Sequence, residues 1–307
     1  MKRDCSVGVH VMKSHDRLLR TFLRIADLTS LSRAAHELGQ TQSGVSKQLA
    51  TLEAEIGQPL FIRNGRGVTL TDVGVALQQA IEVPYRAIDH ALEAIRYEHG
   101  AGHATLRIAF VHTVNDYFLP DAVAGFVAKY PDVSLSLIAR SSSDVVMLVE
   151  GGRADLGIVY DTAVDTAALS SHPLFEDSMC LVTVRKTEAK TSEVGIDLRG
   201  RMLRLVGFPR GFALRRMVES AGLKPLYVAE AESVDSILKL VSMGVGDSIL
   251  PSRLPDKLLN EHGLRKIRID SPHLRRRMVA IKHVARKTLP IVDALFNSVL
   301  QVASTLR

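Results

Sequence analysis

Apolar side chains recur every three or four residues over the first sixty positions of the chain, which is the spacing of amphipathic α-helices. A first helix is predicted from Asp16. Ser30 is placed to cap a second helix that ends at Gly39, and Thr41 to cap a third helix that ends at Gly57. The pattern therefore predicts three helices that follow one another closely.

The first 14 residues precede this pattern. They lack the long apolar segment of a secretion signal. We expect a flexible tail over residues 1–14, in which Met12 is an alternative start to Met1. No run of about 18 apolar residues occurs in the sequence, so no membrane span is predicted, and we expect a cytoplasmic protein.

The short turn between the second and third helices suggests what this region does. It contains Gly39, and the small side chains of Ala34 and Ala35 allow the two helices to cross closely, as in a helix-turn-helix. The outer face of the third helix is polar or small, which suits the major groove of DNA; a solvated helix face is the alternative. The residues that we expect to contact DNA from these helices are Ser32, Arg33, Thr41, Gln42, Ser43, Ser46 and Lys47.

Two short apolar strands follow the third helix and flank a glycine-rich turn at residues 64–67. This arrangement predicts a β-hairpin wing. Arg63 and Arg66 lie at the turn, where they suit contact with the DNA backbone or minor groove. The first 71 residues are therefore predicted to hold a winged helix-turn-helix over residues 15–71.

At this point the sequence resembles the DNA-binding signature of LysR-type transcriptional regulators. The segments that carry the resemblance are LSRAA at 31–35, TQSGVSKQL at 41–49, LE at 52–53, Gly57, PLF at 59–61, Arg63, Arg66-Gly67 and Leu70-Thr71. The family often has Pro-Ala in place of Ser43-Gly44. Gly44 is expected to loosen the first helical turn by up to about 1 kcal/mol relative to Ala, which affects base preference there rather than the fold.

A long helix is predicted next, capped by Thr71 and running to about residue 98, and we assign residues 72–99 to it. One narrow apolar stripe runs along it at near-heptad spacing and consists of Leu77, Ile81, Ile88, Leu92 and Ile95. Such a stripe favours a partner helix, and the resemblance implies an antiparallel dimer contact; packing against the chain's own domain is the alternative. Pro84 has no amide hydrogen for a helical hydrogen bond, and a proline inside a helix lowers its stability by about 3 kcal/mol. We therefore expect a kink or two shorter helices.

From residue 105 the pattern changes to strand, helix, strand, helix, strand, which indicates a parallel sheet. A second group of strands and helices follows, and a final helix is expected to return to the first group. We therefore expect lobe I at residues 104–161 and 285–307 and lobe II at residues 162–284. Segments 126–133, 152–158 and 244–251 resemble the effector domain of the same family, which has a periplasmic-binding-protein-like fold. The predicted fold class is α/β, with an N-terminal α-helical winged helix-turn-helix and a two-lobed periplasmic-binding-protein-like C-terminal domain.

Ligands of open α/β sheets bind beyond the carboxyl ends of the strands, where helix N-termini favour anions. Three predicted loops of this kind carry hydroxyl groups, backbone amides and one arginine, which suit a small carboxylate or another small anion; a neutral or aromatic effector is the alternative. The residues that we expect to contact the effector are His112, Thr113, Ser141, Ser142, Tyr160, Phe208 and Arg210. The structural alternatives are a helix cap for residues 141–143, a solvated charge for Arg210 and a partly buried side chain for His112.

Composition narrows the range of possible functions only slightly. Lys and Arg number 39 against 33 Asp and Glu, and the net charge of +6 is compatible with DNA binding without proving it. Cys5 and Cys180 belong to no CxxC or Cys/His cluster, which predicts two reduced thiols rather than a zinc site or a redox pair. The basic stretch at residues 265–287 is interpreted as a solvated face; contact with DNA or a partner subunit is the alternative.

The predicted function is that of a LysR-type transcriptional regulator, with sequence-specific DNA binding modulated by a small-molecule effector. A small-molecule-binding protein and an α/β enzyme, both without a DNA role, are the alternatives. The sequence lacks a GxSxG elbow, a P-loop, an HExxH motif and a GxGxxG after a strand, which argues against an enzyme. No cofactor or metal is expected. The expected partners are double-stranded DNA, the effector and a second copy through the long helix, with a tetramer as the further assembly and RNA polymerase as an open alternative.

Overall fold

The structure is a computed structural model that describes residues 6–65, 67–98, 104–185, 195–284 and 289–306. The chain divides into two compact units, Met1–Leu92 and Glu93–Arg307. Among the helices so described, none combines the length and apolarity that a membrane crossing requires.

The first unit consists of helices and one hairpin. Its elements are α1 Ser6–Leu28, α2 Leu31–Glu37, α3 Gln42–Ile56, β1 Phe61–Asn64, β2 Gly67–Leu70 and α4 Asp72–Glu98. The predicted caps are confirmed: the Arg33 amide donates to the Ser30 hydroxyl at 3.4 Å and the Gly44 amide to the Thr41 hydroxyl at 3.1 Å. Gly57 has a positive φ of 77° and ends α3, as predicted.

The predicted tail over residues 1–14 is wrong from Ser6 onward, because α1 begins there and not at Asp16. No proline interrupts the sequence between Ser6 and the end of α1, so the backbone hydrogen-bond ladder continues upstream of the apolar pattern. The remaining tail residues lie outside the described part of the chain. α1 is therefore a 23-residue helix rather than a short one.

The core of the first unit lies where α1, α2 and α3 meet the wing. Phe22 is fully buried and its ring centroid lies 5.4 Å from that of Phe61. Ala34 is fully buried too, which is consistent with the close crossing that small side chains allow. Ile56, the last residue of α3, is 37% exposed, so the buried face of this helix ends before its last turn.

α4 is one continuous helix that includes Pro84, so the predicted division into two helices is wrong. Contacts with α1 support the turn around the proline. The Arg20 guanidinium lies 5.0 Å from the Tyr85 ring centroid and 2.6 Å from the Asp89 carboxylate. These contacts hold the residues that follow Pro84 against α1 and offset the missing backbone hydrogen bond.

The second unit is an α/β structure. Its elements are β3 Ala104–Val111, α5 Leu119–Lys129, β4 Val133–Arg140, α6 Ser142–Glu150, β5 Leu156–Tyr160, β6 Leu169–Val184, β7 Ile196–Asp197, β8 Arg204–Gly207, α7 Ala213–Ser220, β9 Leu226–Glu230, α8 Val234–Ser242, β10 Ser248–Pro251, α9 Asp256–Glu261, β11 Leu264–Ser271, β12 Arg275–His283 and α10 Pro290–Ser304. The large sheet has the order β4-β3-β5-β12-β6-β11-β7, β10 also pairs with β6, and β8 pairs with β9.

The sheet of lobe I is mixed rather than purely parallel. β3 is parallel to β4 and β5, as predicted, but β12 is antiparallel to β5 and to β6. The Ser298 hydroxyl on α10 donates to the Ala122 carbonyl of α5 at 3.3 Å, which confirms the predicted return of the last helix to lobe I.

The crossings between the lobes differ from those predicted near residues 161 and 285. β6 begins at Leu169 and pairs with β12 up to Ser178 before it pairs with β10 and β11. The chain therefore leaves lobe I within β6 and returns between β11 and β12. The sequence pattern missed this because Pro173 lies at a bulge of β6, where the register with β12 shifts and the apolar alternation is interrupted.

Candidate functional site

The outer face of α3 is open to solvent. Gln42, Ser43 and Lys47 are exposed and Ser46 is half-buried, whereas Val45 on the opposite face is fully buried. Helix α3 thus has the two-sided character that a recognition helix needs, with one side held by the core and the other free to meet the edges of base pairs.

Ser32 and Gln42 bring the N-terminal ends of α2 and α3 together. The Ser32 hydroxyl donates to Gln42 Oε1 at 3.1 Å, so the donor end of the Gln42 amide is directed away from α2. Arg33 is exposed beside them. The Thr41 hydroxyl is occupied by its cap hydrogen bond to Gly44, so Thr41 acts first as a helix cap.

A buried chain of hydrogen bonds behind α3 was not predicted from the sequence. The Thr21 hydroxyl on α1 donates to Gln48 Oε1 at 2.6 Å, and Gln48 Nε2 donates to Gln40 Oε1 at 2.8 Å. Thr21 is 2% exposed. These bonds fix α3 relative to α1 and to the turn before it, and the long sequence separation between Thr21 and Gln48 explains why spacing alone gave no signal.

The wing is fixed to the helices by backbone contacts. Glu53 on α3 accepts hydrogen bonds from the amides of Leu60 and Phe61 at 2.8 and 3.4 Å. Gly67 has a φ of 146°, and a Cβ at this position would lie 2.4 Å from the Thr29 carbonyl oxygen, so only glycine fits. Arg63 is exposed on β1, and Arg66 lies outside the described residues.

Six of the seven predicted effector residues line one small cavity in the second unit. It has a volume of about 20 Å³ and opens between loops of lobe I and the segment before α7. The lining residues are Val111, His112, Thr113, Arg140, Ser141, Ser142, Tyr160, Phe208, Phe212, Ala213 and Leu214. We call this space the effector cleft. Residues as distant in sequence as 112 and 208 meet here because the parallel strands of lobe I end where α7 begins.

Arg210 is not part of the inner cleft. It lines an adjoining cavity of about 320 Å³ together with His112, Arg140, Asp144 and Glu232. Sequence reasoning missed Arg140, which is the last residue of β4, and Glu232. The mouth of the cleft thus combines two guanidinium groups with two carboxylates.

Four hydroxyl groups in the cleft differ in their hydrogen bonds. The Thr113 and Tyr160 hydroxyls lie 3.0 Å apart and are both buried. The Ser141 hydroxyl donates to the Asp144 carboxylate at 2.6 Å and accepts from the Asp144 amide, so its role as a helix cap is confirmed. The Ser142 hydroxyl is buried and has no hydrogen-bond partner among the described residues. A buried unpaired hydroxyl costs about 1–3 kcal/mol, which a ligand group could recover.

The remaining wall of the cleft is aromatic. The Phe208 and Phe212 rings are stacked with centroids 5.3 Å apart, and the His112 ring lies 6.2 Å from Phe212. Burial lowers the pKa of His112, and Arg140 lowers it further, whereas Glu232 raises it. His112 is therefore predominantly neutral at neutral pH and serves as a hydrogen-bonding group rather than a fixed charge.

A winged helix-turn-helix with an exposed recognition helix, on one chain with a two-lobed domain that has a cleft, defines a ligand-responsive transcription regulator. Residues 17–75 match the family model described as "Bacterial regulatory helix-turn-helix protein, lysR family", and residues 99–304 match that of the "LysR substrate binding domain". The chain belongs to the LysR family. It is a LysR-type transcriptional regulator, a class whose sequence-specific DNA binding is modulated by a small-molecule effector.

Relatives support the same assignment over the full length. The chain is 31% identical over 296 residues to the "Transcriptional dual regulator GltC" of Bacillus subtilis (strain 168), which covers 94% of this chain and 98% of GltC. The fold is similar to that of CbnR, with a TM-score of 0.69 and 20% identity over 94% of this chain and 98% of CbnR. Full-length OxyR from Pseudomonas aeruginosa has a TM-score of 0.67 and 22% identity, with 93% of each chain covered.

Proposed function

We propose that the regulator reads duplex DNA with the outer face of α3 and the wing. The observation that carries this proposal is the exposed polar face of α3 opposite a fully buried Val45. Gln42 and Ser46 are assigned to base edges, and Lys47 and Arg63 to phosphates or, for Lys47, guanine. A solved structure of similar fold, with a TM-score of 0.66 and 21% identity over 93% of this chain and 99% of that chain, is full-length CbnR with its target DNA, which supports the same use of the fold.

The experiment compares binding to a genomic fragment recovered by footprinting with binding to random duplex DNA. Gln42→Ala is expected to lower the affinity for the specific fragment by about 1–3 kcal/mol, a factor of roughly 5 to 150, and to leave random DNA unchanged. Lys47→Ala is expected to weaken both. Lys257→Ala, an exposed lysine of α9, is the charge-matched control. Equal loss for both DNAs in Gln42→Ala would contradict base reading by this side chain.

We further propose that the effector is a small anion that enters the cleft with its charged group toward the N-terminus of α6. The Ser142 hydroxyl, which has no hydrogen-bond partner among the described residues, and the N-terminus of α6 favour an anion. Arg140 and Arg210 at the mouth strengthen that preference. The inner cleft has a volume of about 20 Å³, room for about one water-sized group, and the adjoining cavity has about 320 Å³, so the charged group would enter the inner cleft and the rest of the anion would lie in the adjoining cavity.

The cleft is proposed to bind its ligand without transforming it. The Thr113 hydroxyl is hydrogen-bonded to the Tyr160 hydroxyl rather than to a base that would activate it as a nucleophile. Burial raises the pKa of Tyr160 well above its ordinary value, so this hydroxyl stays protonated at neutral pH. The regulator is therefore assigned a binding role and no catalytic one.

The second half of the α4 stripe is proposed to hold a second copy of the chain. Leu77 and Ile81 pack against the core of their own unit, whereas Ile88 and Leu92 are each 47% exposed. Exposed apolar side chains at heptad spacing favour a partner helix. Ile88→Asp is expected to shift the chain toward monomers in light scattering, and Val75→Asp, which lies off the stripe, is the control.

A further inference from the structure

One buried ionisable group between the lobes is not explained by the effector cleft. Asp177 lies on β6 where this strand leaves β12 for β10 and β11, and its side chain is fully buried. Burial raises the pKa of Asp177 to about 6. A buried carboxylate is unfavourable unless both oxygens are paired, so the contacts of its two oxygens decide what the group does.

The two carboxylate oxygens of Asp177 face different lobes and differ in their hydrogen bonds. Oδ2 accepts a hydrogen bond of 2.6 Å from the hydroxyl of Tyr117, which belongs to lobe I between β3 and α5. Oδ1 is buried and has no hydrogen-bond partner among the described residues. The nearest cation is Arg253 of lobe II, whose Nε lies 3.9 Å from Oδ1. This is beyond hydrogen-bond distance by about 1 Å.

Arg253 already reaches across the junction. It follows β10 in lobe II, yet one of its guanidinium nitrogens donates to the Leu306 carbonyl, beyond the end of α10 in lobe I, at 2.6 Å. The guanidinium carbon also lies 5.3 Å from the ring centroid of Phe175, next to the crossing on β6. The same nitrogen also donates to the Glu176 carbonyl at 3.4 Å, so Arg253 joins lobe II, the end of α10 and the segment of β6 that carries Asp177.

The other ionisable groups around Asp177 lie on β5, on β6 itself and on β12. They are Tyr160 on β5, Cys180 on β6 and Arg276, which is opposite Asp177 on β12. Burial raises the pKa of Cys180 to about 12 and that of Tyr160 well above 10, so neither titrates near neutral pH. Tyr160 also lines the effector cleft through its contact with Thr113. Asp177 is thus the one acid of this group whose charge changes near pH 6.

We propose that Asp177 and Arg253 form a proton-controlled latch that sets the angle between the two lobes. Ionised Asp177 draws Arg253 into hydrogen-bond contact with Oδ1 and holds the lobes in a tight arrangement. Protonated Asp177 leaves the pair apart and gives a loose arrangement. Asp177 and Arg253 are therefore positioning residues for the lobe movement, and the latch needs no effector to operate.

The test measures the distance between the lobes in the full-length chain as a function of pH. Spin labels are attached to cysteines introduced by Met147→Cys in lobe I and Met243→Cys in lobe II. The two methionine side chains are 59% and 74% exposed. Cys5→Ser removes a competing thiol, and Cys180 stays because it is buried. Labelled chains are diluted into excess unlabelled chains, so that only distances within one chain contribute.

The wild type is expected to show two distance populations whose ratio changes by up to about tenfold per pH unit around a midpoint near pH 6. Asp177→Asn is expected to give one population from pH 5 to pH 8. Tyr117→Phe removes a hydrogen bond that favours the ionised form, so its midpoint is expected at higher pH. Glu176→Gln, the exposed neighbouring carboxylate, is the control and should behave as the wild type.

Histidine side chains titrate in the same range, so the Asp177→Asn result decides the source of any shift. A wild-type distance independent of pH, or a shift that persists in Asp177→Asn, would overturn the latch. If Asp177→Asn does not fold, an unmoved midpoint in Tyr117→Phe overturns it equally. DNA binding is not used as the readout, so failure of the latch and failure of the proposed DNA and effector functions are distinguishable.

Discussion

The two units of this regulator differ in how completely their buried polar groups are paired. In the first unit, Thr21, Gln48 and Gln40 form a closed hydrogen-bond chain behind α3. Of the eight buried side-chain atoms without a partner among the described residues, one belongs to the first unit and seven to the second. Two of the seven, on Ser142 and Asp177, lie in the effector cleft and at the junction of the lobes. The DNA-reading surface is thus preformed, whereas the sensing domain retains unpaired groups that a ligand or a lobe movement can satisfy.

The largest expected effect concerns Asp177. Its folded pKa of about 6 exceeds the ordinary value of 3.8, so the folded chain binds more protons than the unfolded chain between these values. The free energy of unfolding therefore decreases as pH rises from about 4 to about 6 and remains lower at pH 7, by on the order of 3 kcal/mol. Asp177→Asn is expected to be more stable than the wild type at pH 7 and equal to it at pH 4, in chemical denaturation. Greater stability of the wild type at pH 7 would contradict this expectation, because the contacts of ionised Asp177 would then outweigh the cost of its burial.

The next effect concerns the paired network of the first unit. Gln48→Leu leaves the buried Thr21 hydroxyl without its acceptor, which is expected to lower the free energy of unfolding of the first unit by about 1–3 kcal/mol. Gln79→Leu, an exposed glutamine of α4, is the matched control. Denaturation followed by circular dichroism measures both. If Gln48→Leu leaves the free energy of unfolding unchanged, the hydrogen-bond network contributes nothing to the position of α3.

The smallest effect on stability is expected at Ser142. This unpaired hydroxyl of the second unit contrasts most clearly with the paired Thr21 hydroxyl of the first. Ser142→Ala removes a hydroxyl that has no partner among the described residues, so thermal stability should be unchanged or rise by up to about 1 kcal/mol. A panel of small carboxylates that stabilises the wild type in a thermal-shift assay should no longer stabilise the variant. Ser143→Ala, whose hydroxyl is exposed, is the control. If Ser142→Ala keeps the full ligand response, the anion does not bind at this hydroxyl.

Local signals in the sequence were sufficient where one short segment determines its own structure. The caps at Ser30 and Thr41 are as predicted because each is set by residues three positions away. The crossings between the lobes were misplaced because the extent of β6 depends on pairing with β12, about a hundred residues later. Arg140 and Phe212 were missed in the cleft for the same reason: their neighbours come from other parts of the chain.

The central claim is that the outer face of α3 reads base pairs, and selection of binding sites from a random duplex library tests it most directly. Wild type, Gln42→Ala and Ser32→Ala would be selected in parallel. Gln42→Ala is expected to lose its preference at one base pair in each half-site and to keep the others, and Ser32→Ala to relax the same position because it orients the Gln42 amide. Identical base preferences in all three proteins would contradict the account.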